Sequence, residues 1–174
     1  KSNLKVAALK LTGTGSGGDC WLFKDAGAAP ALDFTDAGLA STYNASIPRI
    51  ENAGRLLLAE VSAGGPDFIV CEIADGIMQQ ETSALIASPF LKEIADCVVF
   101  AASDPLSAAA GVHILAGHGY LTAAISGLVS SSPLASEEAS RATGLRVLTQ
   151  QDFESDDDAA ASFLLSARAE RIAI

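Results

Sequence analysis

Basic residues are scarce in this chain. Lysine and arginine number 11 against 21 aspartates and glutamates, a formal net charge of -10. No basic patch relieves that excess, so a duplex nucleic acid would find little to neutralise its phosphates. Part of the charge is local: Asp152, Glu154 and Asp156 to Asp158 form one acidic cluster, read as a solvated helix start. Cysteine is also sparse, with three widely spaced residues and no metal-ligand spacing. An odd, scattered set of that kind is not a disulfide framework. Cys71 and Cys97 lie inside apolar runs and read as buried thiols of a reducing compartment, whereas Cys20 follows a glycine loop and is expected nearer the surface. No apolar run approaches the ~18 residues of a membrane helix and no signal peptide is visible, so the expectation is a soluble cytoplasmic protein with no membrane partner. Lys1 is not a start methionine, so the chain is expected to be processed, trimmed or part of a longer polypeptide. There is no Gly-x-Ser-x-Gly elbow for a nucleophilic serine. His113 and His118 stand five apart, whereas two ligands on one helical face want three or four.

What is present is apolar. Hydrophobic residues make up 49% of 174 and charged residues 18%, enough for one domain spanning 1–174 with a sizeable core. Apolar strands alternate with helical stretches along the chain. Strands are expected near Leu4–Lys10, Pro30–Asp36, Asp67–Ile73, Cys97–Ala102, Tyr120–Ser126 and Leu145–Leu148. Helices are expected after Asp19, over Ile47–Ala63, from Gly76 to the break at Ser88-Pro89, from Asp104 to about Ala116, over Leu134–Thr143, and over Phe153–Arg171. That alternation implies right-handed crossovers and an α/β fold: an open, mostly parallel sheet with helices on both faces. Ligands of such sheets bind beyond the C-terminal strand ends. The polar stretches Lys10–Asp19, Glu72–Gly76, Ser103–Asp104 and Ser126–Ser132 all fall there.

The opening stretch, Leu4 to Ala28, organises the rest. A short apolar strand runs into Gly13, Gly15, Gly17 and Gly18, and Asp19 then stands where a helix cap would stand. Glycines let backbone N–H groups approach a ligand, and a helix start adds a positive dipole end. Gly13-x-Gly15-x-x-Gly18 also matches the dinucleotide fingerprint, with Asp33 and Asp36 roughly twenty residues on, near where a ribose-binding acid would fall. A Rossmann-type NAD(P) oxidoreductase is therefore one reading. Lys10 within the strand and the interrupted helix that follows are unusual for it.

A second likeness covers more residues. Lys10-Leu11-Thr12-Gly13-Thr14, then Asp19 and Asp25-Ala26-Gly27-Ala28, resembles the second strand region of a P-loop NTPase group that includes dethiobiotin synthetase and the GTP-binding adaptor of molybdopterin-guanine dinucleotide synthesis. Asp67-Phe-Ile-Val-Cys-Glu72 resembles that group's later strand ending in Glu, and Ile73-Ala74-Asp75-Gly76 the glycine turn after it. With Leu32-Asp-Phe-Thr-Asp-Ala-Gly38 and Gln80-Glu-Thr82, the combined pattern is similar to uncharacterised bacterial members over roughly residues 5–150.

The resemblance implies a three-layer, P-loop NTPase-like fold that uses ATP or GTP with Mg²⁺ to activate a small carboxylate or amine substrate. It also implies roles. Lys10 would meet a phosphate or substrate anion, with Thr12, Gly13, Thr14 and Gly15 beside it as short donors. Asp19 and Glu72 would be the Mg²⁺-side carboxylates, and Asp75 would orient water or substrate. The group's Gly-x-x-x-x-Gly-Lys-Ser/Thr loop does not occur in these residues. The resemblance places it on a strand before Lys5, and without it NTP hydrolysis is not expected.

Each site residue also has a purely structural reading. Asp19 would be a helix cap, Lys10 an edge lysine snorkelling to water, Asp75 a turn residue with Gly76, and Gln79 to Thr82 a solvated first helical turn. Buried strands seldom carry an unpartnered acid, so Glu72 is the strongest functional candidate. A third reading is a non-catalytic scaffold that keeps the sheet and binds a protein partner; a homo-oligomer is left open.

Overall fold

The computed structural model describes residues 4–155 and 162–166. The chain is α/β and divides into two compact units at Phe90–Leu91. Each unit carries its own three-stranded, all-parallel sheet flanked by helices, instead of the strands sharing one sheet.

In the first unit the order is β1 (Val6–Lys10), α1 (Gly18–Asp25), β2 (Ala31–Asp33), α2 (Ile47–Ser62), β3 (Phe68–Glu72) and α3 (Gln80–Ala87). Strand β1 is central, with β2 and β3 on its two sides. The chain thus steps to one side and then the other, so right-handed crossovers put α1 and α2 on opposite faces.

The two-residue period of β1 divides its side chains between those faces. Val6 and Ala8 cluster with Phe23, Ala28 and Ala31 on the α1 side. Leu9 and Leu11 are fully buried, and Leu11 faces α2. A Cβ on Gly54 of α2 would lie 2.9 Å from Leu11 Cδ1 and 2.7 Å from the Phe90 ring, so glycine lets that helix settle close to the sheet. The same alternation continues past Ala8 and delivers Lys10 to the α1 face. Val70 pairs with Ala8 and shares that face. It is 51% exposed, because α1 lies over β1 and β2.

A short helix α4 (Pro89–Ile94) spans the boundary. Beyond it come β4 (Val98–Ala101), α5 (Pro105–Gly117), β5 (Thr122–Ser126), a 3₁₀ turn at Leu128–Ser131, α6 (Pro133–Thr143), β6 (Arg146–Val147) and α7 (Gln150–Glu154). Strand β5 is central here, with β4 and β6 beside it. The core gathers Ala102, Ala108, Ile125, Val129 and Ala139. Gly111 sits under the Phe100 ring, where a Cβ would come within 2.1 Å. Asp104 and Ser107 close a capping box at the start of α5, as the Ser-Asp-Pro sequence leads one to expect.

Two helix boundaries differ most from the sequence reading. The helix expected from Gly76 starts only at Gln80, because Asp75 is left-handed (φ 71°) and Gly76–Gln79 turn. The last helix, expected over Phe153–Arg171, ends at Glu154 with Ser155 extended. Residues 162–166 are helical, and the rest of that stretch lies outside the described residues.

Candidate functional site

Parallel pairing sets one row of side chains across the C-terminal end of the first sheet. Lys10 is in register with Asp33 of β2 and with Glu72 of β3. Partners in register project to one face, so one cation and two carboxylates share the α1 side of the sheet. The first turn of α1 brings a third carboxylate, and Lys10 Nζ donates to Asp19 Oδ2. The Lys10 side chain is 8% exposed and that of Asp19 41%.

The charges perturb one another. Burial disfavours the Lys10 ammonium, yet its hydrogen bond to Asp19 and the charges of Asp19, Glu72 and Asp33 outweigh that and hold its pKa above the ordinary lysine value. Burial raises Glu72, Asp19 raises it further, and Lys10 offsets only part of this, so its carboxyl stays above the usual range. Burial also pushes Asp33 up, but the Thr35 hydroxyl and amide, the Cys20 thiol and Lys10 together hold it below its ordinary value. Asp33 Oδ1 accepts from Thr35 N at 2.7 Å, and Cys20 Sγ donates to Oδ2 at 3.5 Å. Asp33 is thus the fixed counter-charge of the row.

Cys20, expected near the surface, is buried, and its thiol is pushed up to about 11 by burial and by Asp33. Cys71 on β3 goes up to about 12 for the first of these reasons, with Glu72 adding to it. Both are held as thiols and are poor nucleophiles at neutral pH.

The glycine loop is built differently from the expected cradle. Gly13 (φ 119°) donates its N–H to Thr42 Oγ1 at 2.8 Å, and Gly15 donates to Ala40 O at 3.3 Å. Thr14 bridges Ser41, and the Thr12 hydroxyl donates to Ala74 O at 2.8 Å. Loop 40–42 therefore takes the amides that the sequence reading assigned to a ligand. Gly15 is glycine for a packing reason: a Cβ there would fall 2.3 Å from Thr35 Cγ2. Gly13 is one too, since a Cβ would press on Lys10 Cε at 3.0 Å. Of the four loop residues expected to hold a cofactor, only Thr14 has an exposed side chain without a bonded hydroxyl given to the fold.

Other placements correct the sequence reading as well. Asp19 is not the cap of α1. Gly17, left-handed at φ 74°, occupies that position, which frees the Asp19 carboxylate for Lys10. Lys10 does not snorkel; it is 6% exposed. Asp75 is exposed on the turn past Glu72, where its left-handed backbone serves the turn with Gly76. Gln79 to Thr82 is solvated only in part, at Gln79 and Gln80. Thr82 is fully buried, Glu81 is 5% exposed and accepts the Asn44 amide, and Gln79 caps the helix through Thr82 N.

The residues that sequence reasoning missed are Thr42, which pins Gly13, and Asp33 as a carboxylate level with Lys10. The chain does contain a signal for the second. Both strands end in a charged residue, which becomes meaningful once β1 and β2 are paired end to end.

The donor set bears on Mg²⁺. Asp19 and Glu72 are hard oxygen donors, close enough that Asp19 adds to the rise that burial imposes on Glu72. Among the described residues no three His, Cys, Asp or Glu side chains are grouped to hold a metal by themselves. Mg²⁺ does not require that, because it keeps several waters and is commonly bound through one or two carboxylates plus substrate phosphates. The residues fit that mode.

Strand order differs from that of the dinucleotide reading. The dinucleotide fold runs 3-2-1-4, with the second strand between the first and third. Here β1 lies between β2 and β3, and Asp33, the candidate ribose acid, is buried and spent on Thr35 and Cys20. The order 2-1-3 places the topological switch between β1 and β3, at Lys10 and Glu72. Compared with protein-family models, curated proteins and solved structures, the chain finds no match in any of the three.

Proposed function

We propose that the first unit binds the Mg²⁺-complexed phosphoryl end of a nucleotide, ATP or GTP, for the activation of a small carboxylate or amine substrate. The observation that carries this reading is the position of Lys10. It is a buried lysine at the switch point of a parallel sheet, set beside Glu72 and reached by Asp19 from the following helix. A buried charge is costly unless paired. This one stands where α/β sheets take their ligands.

In this reading Lys10 neutralises a phosphoryl or carboxylate oxygen, and the nearby charges of Glu72 and Asp33 help keep the ammonium charged. Asp19 and Glu72 would hold Mg²⁺, which when bound supplies charge neutralisation and ordered water. The rate gain of such a site comes mainly from positioning and electrostatics. Hydrolysis is expected only where a phosphate-wrapping loop completes the site, since these residues contain none and the amides of Gly13 and Gly15 are committed elsewhere.

The test is equilibrium binding of fluorescent ATP and GTP analogues with and without Mg²⁺, with NADH and NADPH alongside. Mg²⁺-dependent nucleotide binding is expected, weakened at least about tenfold by Lys10→Met, a change of roughly 1.4 kcal/mol. Ser103→Ala in the second unit should leave it unchanged. Flat titrations with both nucleotides, or binding of NADH or NADPH alone, would overturn the reading.

A further inference from the structure

The two opposite charges that a phosphoryl ligand would need are bonded to each other. Lys10 Nζ donates to Asp19, and with that contact made only 8% of the lysine side chain meets solvent. Gly13 closes another side, since a Cβ there would lie 3.3 Å from Nζ. An anion can reach the ammonium fully only when Asp19 leaves.

Asp19 is the carboxylate best able to leave. Asp33 is held by Thr35 and Cys20, and Glu72 is carried on a paired strand. Asp19 is 41% exposed and stands on the first turn of α1, whose only buried residue is Cys20. The glycine pair before it, Gly17-Gly18, has no atom within 4 Å of either missing Cβ.

We propose that Asp19 is a latch that couples the two ligands of this site, so that a divalent cation and an oxyanion bind together and each alone binds weakly. The inference rests on the Mg²⁺ reading above. A cation engaging Asp19 and Glu72 draws Asp19 off Lys10 and opens the ammonium to a phosphate or carboxylate. An anion that takes Lys10 frees Asp19 for the cation. The coupling is the same in both directions, as linkage requires.

Trp21, the chain's single tryptophan, lies two residues beyond Asp19 on α1 and is 68% exposed, so its fluorescence reports on this turn. The experiment titrates inorganic phosphate into the whole protein with and without Mg²⁺, and Mg²⁺ with and without phosphate. Binding is read by calorimetry and by Trp21 emission. In the wild type, Mg²⁺ should tighten phosphate at least about tenfold, and phosphate should tighten Mg²⁺ by the same factor. Asp19→Asn should bind phosphate without Mg²⁺ more tightly than the wild type does, with the Mg²⁺ effect reduced toward onefold. Lys10→Met should lose phosphate binding under every condition, which assigns the signal to this site.

Asp19 caps no helix through its side chain, so the variant is expected to fold, and an unchanged circular dichroism melt checks this. If Asp19→Asn nevertheless unfolds, Asp19→Ser carries the same comparison. A wild-type phosphate affinity indifferent to Mg²⁺, or an Asp19→Asn protein that keeps the full Mg²⁺ effect, overturns the latch while leaving nucleotide binding standing. Absence of phosphate and Mg²⁺ binding in both proteins overturns the latch and the Mg²⁺ reading together.

Discussion

The two units use one plan and end their sheets differently. Each has a central strand with a parallel neighbour on either side, and each places small or apolar residues in its core. In the second unit the polar groups beyond the strand ends are spent locally. Ser103 donates to Asp104, Asp104 closes the box on α5, and Ser126 donates to Leu148 O at 2.8 Å. In the first unit the same edge carries Lys10, Asp33, Glu72 and Asp19, only part of whose capacity is used by turns and caps. Turns and caps can be closed by serines and a capping aspartate, as the second unit does beyond β4 and β5. The charged row of the first is therefore more than its loops require, and that excess is the main argument for placing the site there.

The comparison can be broken at its base. Leu9 and Ile125 are both fully buried on the central strands of their sheets. Leu9→Ala and Ile125→Ala should each cost about 2–5 kcal/mol in urea denaturation. If one is silent, the two cores are not equivalent and the contrast between their edges loses its footing.

A smaller loss is expected at the loop. Thr42→Val removes the acceptor of the Gly13 N–H and leaves that buried donor unpaired, for about 1–3 kcal/mol. A variant as stable as the wild type would mean that loop 40–42 does not hold the glycine loop, and the amides of Gly13 and Gly15 would again be available to a ligand.

Acid titration sharpens the role of Asp33. Its folded pKa lies below the unfolded value, so the unfolded chain binds more protons in that window. Its contribution to stability is complete above an unfolded value of about 3.9 and is lost as pH falls through the folded one. Asp33→Asn should flatten that part of the stability–pH curve. An unchanged slope would mean that Thr35, Cys20 and Lys10 do not favour the ionised Asp33 carboxylate in the fold.

The smallest effect has the opposite sign. Glu72 is raised in the fold, so its ionised form at neutral pH works against folding. Glu72→Gln should melt slightly higher than the wild type in metal-free buffer while weakening Mg²⁺ binding. A lower melting temperature would make Glu72 a structural residue.

Much of this was legible along the chain. Strand and helix positions follow apolar runs punctuated by glycine and proline, and Ile47–Ser62, Phe68–Glu72 and Pro105–Gly117 fall close to where periodicity puts them. Lys10, Asp19 and Glu72 stand out as charges at strand or helix ends. The loop was less legible, because Gly13 and Gly15 suggest ligand-facing amides, whereas Thr42 and Ala40, far along the chain, accept them. Glu81 and Thr82 look solvated next to Gln79 and Gln80, yet they are buried against Asn44 and Ala74, which no local pattern reveals.

The sequence by itself determined the α/β class, the parallel habit of the strands and the end of the sheet at which polar groups collect. Those follow from side-chain period and chain connectivity, which are local properties. Only the tertiary structure decided that β1 lies between β2 and β3, that six strands form two sheets, and that Lys10 shares a row with Asp33 and Glu72. Strand order and register are settled by which apolar faces bury one another across long stretches of chain, and the site exists because that pairing brings its charges level.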